Sequence, residues 1–83
     1  MRLVVKSEVF EKQILENVQS VYVQVDRVKG DVWYYVEVVT RDFYSYVEIH
    51  CIAAYQNLNK ALDLNGQIKA ALNSGEEKLG VSI

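Results

Sequence analysis

Three consecutive stretches of this chain change side at every residue. Val21, Val23 and Val25 alternate with Tyr22, Gln24 and Asp26, and the pattern continues through residues 32–40 and 43–52. A period of two is what a half-buried β-strand requires, because successive side chains point to opposite faces of a sheet. Lys29-Gly30 and Arg41-Asp42 separate the stretches, and strands joined by such short connections pair antiparallel. The simplest product is a three-stranded antiparallel meander.

Register follows from the same pattern, since a slip of one residue would turn every apolar side chain to the wrong face. With two-residue connections at both sites, Val25 aligns with Tyr34 and Ile49, Val23 with Val36 and Val47, and Val21 with Val38 and Ser45. That face is apolar. The opposite face carries Asp26, Trp33 and His50 in one row, Gln24, Tyr35 and Glu48 in the next, then Tyr22, Glu37 and Tyr46, with Val39 beside Tyr44.

The flanking segments read differently. Leu3-Val4-Val5 is a short strand or an ordered arm. Ser7 offers an N-cap hydroxyl, Glu8 and Glu11 suit the positive end of a helix dipole, and Phe10, Ile14, Leu15 and Val18 recur at helical spacing, so residues 8–18 are expected to form an amphipathic helix. Ala53, Ala54, Tyr55, Leu58, Ala61 and Leu62 return to helical spacing until Asn65-Gly66, a natural stop. Ile68, Ala71 and Leu72 read as its continuation past a kink or as a separate short helix, the latter preferred, ended by Ser74-Gly75. Leu79, Val81 and Ile83 alternate, as an edge strand or a frayed tail. The expected fold class is α+β, order β-α-β-β-β-α with an optional C-terminal strand, the helices covering the valine face and residues 1–83 making one domain.

Composition narrows the function classes. A chain of 83 residues, 51% of them hydrophobic, folds rather than staying disordered. At this length it buries only about 60–65% of its unfolded surface, so association would add stability. Nine basic and eleven acidic residues give a formal charge of −2, too little to draw the chain to nucleic acid or an anionic membrane by bulk field. The apolar run at residues 3–5 is far too short for a targeting or membrane segment. One cysteine, Cys51, allows no internal disulfide, which makes the cytoplasm the default location. No cofactor or metal site is expected. In this register Cys51 lies on the valine face, as a small buried hydrophobe that does not react.

The helix-strand-strand-strand-helix order of residues 7–73 resembles a double-stranded-RNA-binding domain in outline. The resemblance implies a basic cluster at the start of the second helix, where this chain has Ala53-Ala54-Tyr55-Gln56-Asn57, so the phosphate grip does not carry over. With a final strand the order is also similar to the core of restriction-type nucleases. Asp26 and Glu37 align with the acidic residues of that metal site, but Val39 stands where its lysine should be.

What remains is a surface. The face left open by the helices carries Tyr22, Trp33, Tyr35, Glu37, Tyr44, Tyr46, Glu48 and His50, and Tyr and Trp are common interface anchors. The alternatives are that the C-terminal segment folds across it, or that its rings only stabilise the sheet. Asp26, Glu37 and Glu48 would repel phosphates, which disfavours a nucleic-acid platform. Glu48 and His50 form an acid-base pair without a pocket, nucleophile or oxyanion site, so no enzyme is expected. The expected function is a non-catalytic protein-interaction module, self-associating as a homodimer. A compact inhibitor of the type carried by phages, acting on a host protein complex, is the alternative, and a metal-dependent nuclease-like enzyme a distant one.

Overall fold

The computed structural model describes residues 1–9 and 11–83. Its elements are β1 (Arg2–Lys6), β2 (Gln13–Leu15), β3 (Val18–Val28), β4 (Asp31–Arg41), β5 (Val47–Tyr55), α1 (Leu58–Asn73) and β6 (Lys78–Ser82). They form a small α+β fold with two three-stranded sheets, ordered β2-β1-β6 and β3-β4-β5, and one helix.

The meander is the β3-β4-β5 sheet. Its first hairpin has the register that the alternation demands: Val21 opposite Val38, Val23 opposite Val36, Val25 opposite Tyr34. Lys29 and Gly30 both take positive φ, 52° and 87°, the twist that a two-residue hairpin needs. Helix α1 packs across all three strands of this sheet. Val36 and Val38 are completely buried with Ala61, Leu64 and Ile68, and Leu3, Val5, Leu15, Val18, Ile52 and Val81 complete the same cluster. One core thus joins both sheets and the helix.

The second hairpin departs from the expected register. Asp42 does not sit in a two-residue turn but organises a longer loop: its Oδ1 accepts from Tyr44 N and Tyr46 N, both at 2.8 Å, its carbonyl accepts from Ser45 N, and its own N–H donates to Tyr46 O. Strand β5 therefore starts at Val47. Val36 faces Ala53 while Glu37 faces Cys51, so Ile52 is the extra residue of a bulge. Arg-Asp supplies neither the glycine nor the asparagine that favours positive φ at both turn positions, and an Asp that accepts from nearby backbone amides is the competing solution.

The expected helix over residues 8–18 is not found. Phe10 lies outside the described residues. Gln13–Leu15 pair antiparallel with Val5–Leu3, and Asn17, at φ 57°, reverses the chain into β3. The Asn17 side-chain amide donates to the carbonyl of Arg41 and so ties this corner to the end of β4. An eleven-residue helix is marginal without packing. Here pairing with β1 buries Leu15, leaving Ile14 exposed.

The preferred reading of two C-terminal helices gives way to one, the continuation past Asn65-Gly66. Ala53–Tyr55 belong to β5, and Asn57 caps α1 by accepting from Asn59 N and Lys60 N. The helix runs through Asn65-Gly66 because Ala61, Leu64, Ile68 and Ala71 form an unbroken buried stripe across it. Burying that stripe outweighs the roughly 1 kcal/mol that an interior glycine costs. The final strand exists as β6, but it runs parallel to β1 in the other sheet. It does not fold across the meander. With β2 in place of the first helix, the chain does not have the element order on which both family resemblances rested.

Candidate protein-binding face

Strand pairing assigns each side chain of the meander to a face. Opposite the helix stand Tyr22 with Glu37 and Cys51, Gln24 with Tyr35 and Ala54, Asp26 with Trp33, Ser20 with Val39 and Ile49, and Arg41 with Val47. None of these residues belongs to the core cluster. Val47 and Ile49 keep 52% and 59% of their surface exposed, and Tyr22, Trp33, Tyr35, Glu37 and Val39 are half-buried by their neighbours in the sheet. The expected placements of Tyr22, Trp33, Tyr35 and Glu37 hold.

The other four expected residues are elsewhere. Glu48 is opposite Thr40 and His50 opposite Val38, on the helix side of the sheet, because the longer loop changes the parity of β5 from Val47 to Cys51. His50 Nε2 lies 2.9 Å from Oγ1 of Thr40, which is 9% exposed, and 3.6 Å from Glu48 Oε2. Both partners approach the same ring nitrogen, so the three do not form a relay, which needs a separate partner on each nitrogen. Trp33 is not beside this histidine. Tyr44 and Tyr46 lie in the 42–46 loop, 78% and 70% exposed, with Phe43 at 94%. Phe43 and Tyr44 meet edge to face, ring centres 5.5 Å apart.

Sequence reasoning missed Val47, Ile49 and Cys51 on the open face. The signal was the poor turn chemistry of Arg41-Asp42, which argues for a longer loop and hence a shifted β5. Cys51 is exposed, not buried. Desolvation still pushes its thiol above the usual range, the Glu37 charge adds to this, and a backbone hydrogen bond at Ala53 offsets part of it. Low thiolate content makes it a poor nucleophile.

The shifted register also changes the electrostatics. Glu48 and His50 leave the face, and Arg41 enters at one end, while Asp26 and Asp31 stand at the other and Glu37 near the middle. Glu37 accepts a hydrogen bond from the Tyr22 phenol. Desolvation raises the pKa of that phenol above 10.0, and the hydrogen bond and negative charge of Glu37 raise it further.

A shallow depression of about 330 Å³ lies over Gln24, Asp26, Tyr35, Glu37 and Cys51. Among the described residues no group of three or more His, Cys, Asp or Glu side chains is placed to hold a metal ion, and no helix is long and apolar enough to cross a membrane. The face carries rings, branched aliphatics and a few charges. No protein-family model, curated protein or solved structure matches this chain.

Proposed function

We propose that this chain is a non-catalytic protein-interaction module whose partner packs on the open face of the β3-β4-β5 sheet. The observation that carries the reading is the exposure of Val47 and Ile49 beside Val39, on a face that also carries the Tyr22, Tyr35 and Trp33 rings and contributes nothing to the core. A protein surface answers that chemistry better than nucleic acid, because Asp26, Asp31 and Glu37 would oppose a phosphate backbone.

The exposed Phe43 and Tyr44 supply a second reading, in which the stiff 42–46 loop enters a pocket on a different protein, as a compact inhibitor of a host complex would.

Trp33→Lys and Ile49→Lys test the face, and Phe43→Ser tests the loop. The tagged chain is incubated with bacterial lysate and with an excess of untagged chain. Loss of every stoichiometric complex in the two face variants, with circular dichroism unchanged, is the expected result. Complexes that survive both substitutions and vanish with Phe43→Ser would transfer the function to the loop.

A further inference from the structure

We infer that the partner of the open face is a second copy of this chain, stacked sheet on sheet with its strands reversed. The inference rests on the reading of that face as an interface and adds the identity and orientation of the occupant.

Strand β4 lies between β3 and β5, and its open-face residues are Asp31, Trp33, Tyr35, Glu37, Val39 and Arg41. The midpoint of the strand is Val36, whose side chain is in the core. A two-fold axis in the plane of the face, passing over Val36 and across the strands, lays Asp31 of one copy over Arg41 of the other. It also lays Trp33 over Val39, and Tyr35 over Glu37. Carboxylate meets guanidinium, ring meets branched aliphatic, and phenol meets carboxylate. A carboxylate has lone pairs enough to accept from Tyr22 of its own chain and Tyr35 of the other. On β3 the same operation brings Asp26 over Ser20, again an acceptor over a donor.

Each contact then occurs twice, as an isologous interface requires. The alternative two-fold, parallel to the strands, stacks Asp31 on Asp31 and Arg41 on Arg41. Charge therefore selects the reversed arrangement.

Aligned sheets pack with their strands rotated by about 30°, which keeps the middle of β4 in contact and offsets its ends, about 16 Å from the axis, by about 8 Å, a distance that the long Arg41 side chain has to span. The pairing along β4 thus decides the fit. Area sets the strength. Three strands of up to eleven residues, at about 3.3 Å per residue and about 4.8 Å between strands, present roughly 500 Å² in projection per copy. That is the small end of specific interfaces, the class of reversible dimers.

The test is sedimentation equilibrium on the full chain, up to about 0.5 mM, with three variants. Wild type is expected to show a monomer-dimer equilibrium. Arg41→Asp and Asp31→Arg each create like-charge pairs at both ends, and each weakens the dimer about tenfold or more. An equimolar mixture of these two variants restores both pairs, because one chain carries two arginines and the other two aspartates, and it associates at least as tightly as wild type. Trp33→Lys abolishes association.

A wild-type chain that stays monomeric at the highest concentration overturns the inference. If lysate capture is still lost in Trp33→Lys, the face reading survives and only the occupant is wrong. A dimer of equal strength in Arg41→Asp, Asp31→Arg and wild type overturns the orientation, and one indifferent to Trp33→Lys overturns the face as well.

Discussion

Val36 stands opposite Ala53 across β4 and β5, whereas the next residue of β4, Glu37, stands opposite Cys51. Ile52 has no counterpart on β4 and turns into the core, where it is 6% exposed. Beyond this bulge His50 and Glu48 lie on the helix side, and Cys51, Ile49 and Val47 on the open side.

The register that starts at Val47 puts two isoleucines three residues apart on opposite faces. Ile52→Ala is expected to cost about 2–4 kcal/mol, through lost burial and the cavity left behind. Ile49→Ala should change stability by less than about 0.5 kcal/mol, since Ile49 is 59% exposed. Urea denaturation at low protein concentration measures both. The opposite ranking would restore the register with a two-residue loop.

Asp42 holds its loop through two amide bonds to one carboxylate oxygen. Asp42→Ala should lower stability by about 1 kcal/mol and Asp42→Asn by less, because the amide oxygen still accepts. Amide hydrogen exchange at Tyr46 should speed up in the alanine variant. Unchanged exchange there would mean that the carboxylate does not organise the loop.

Gly66 lies inside α1, and a Cβ added to it meets nothing within 4 Å. Gly66→Ala is expected to stabilise the fold by about 0.5–1 kcal/mol by restricting the unfolded chain. A lower midpoint in thermal melting would show that the helix breaks at Asn65-Gly66 after all.

Tyr22 is held protonated by desolvation and by Glu37. Its folded pKa lies above the unfolded value, so its contribution to stability is complete below pH 10.0 and is lost as pH rises through the folded pKa. Phenolate absorbance should show a late-titrating tyrosine that is missing in Tyr22→Phe and shifts down in Glu37→Gln. Superimposable titration curves for wild type and Glu37→Gln would show that the two groups do not interact.

The alternation of Val21, Val23 and Val25 with their polar neighbours was enough to place β3 and β4, their register and their two faces. Hairpin pairing is local, and burial of one face leaves a single solution. The same reasoning located Tyr22, Trp33, Tyr35 and Glu37. It misplaced Tyr44, Tyr46, Glu48 and His50, because a period-two pattern survives a change of loop length while the faces exchange. Asp42's competition for backbone amides settled that length, and Ile52's burial settled the bulge. Residues 13–15 and 78–82 are strands because each adds to β1, with partners eight to twelve residues apart in one case and across nearly the whole chain in the other. Helix α1 passes Gly66 because four buried side chains hold it against the sheet. Nearest-neighbour patterns carry the short-range pairing; which segments meet at long range depends on the shape of the core that they fill together.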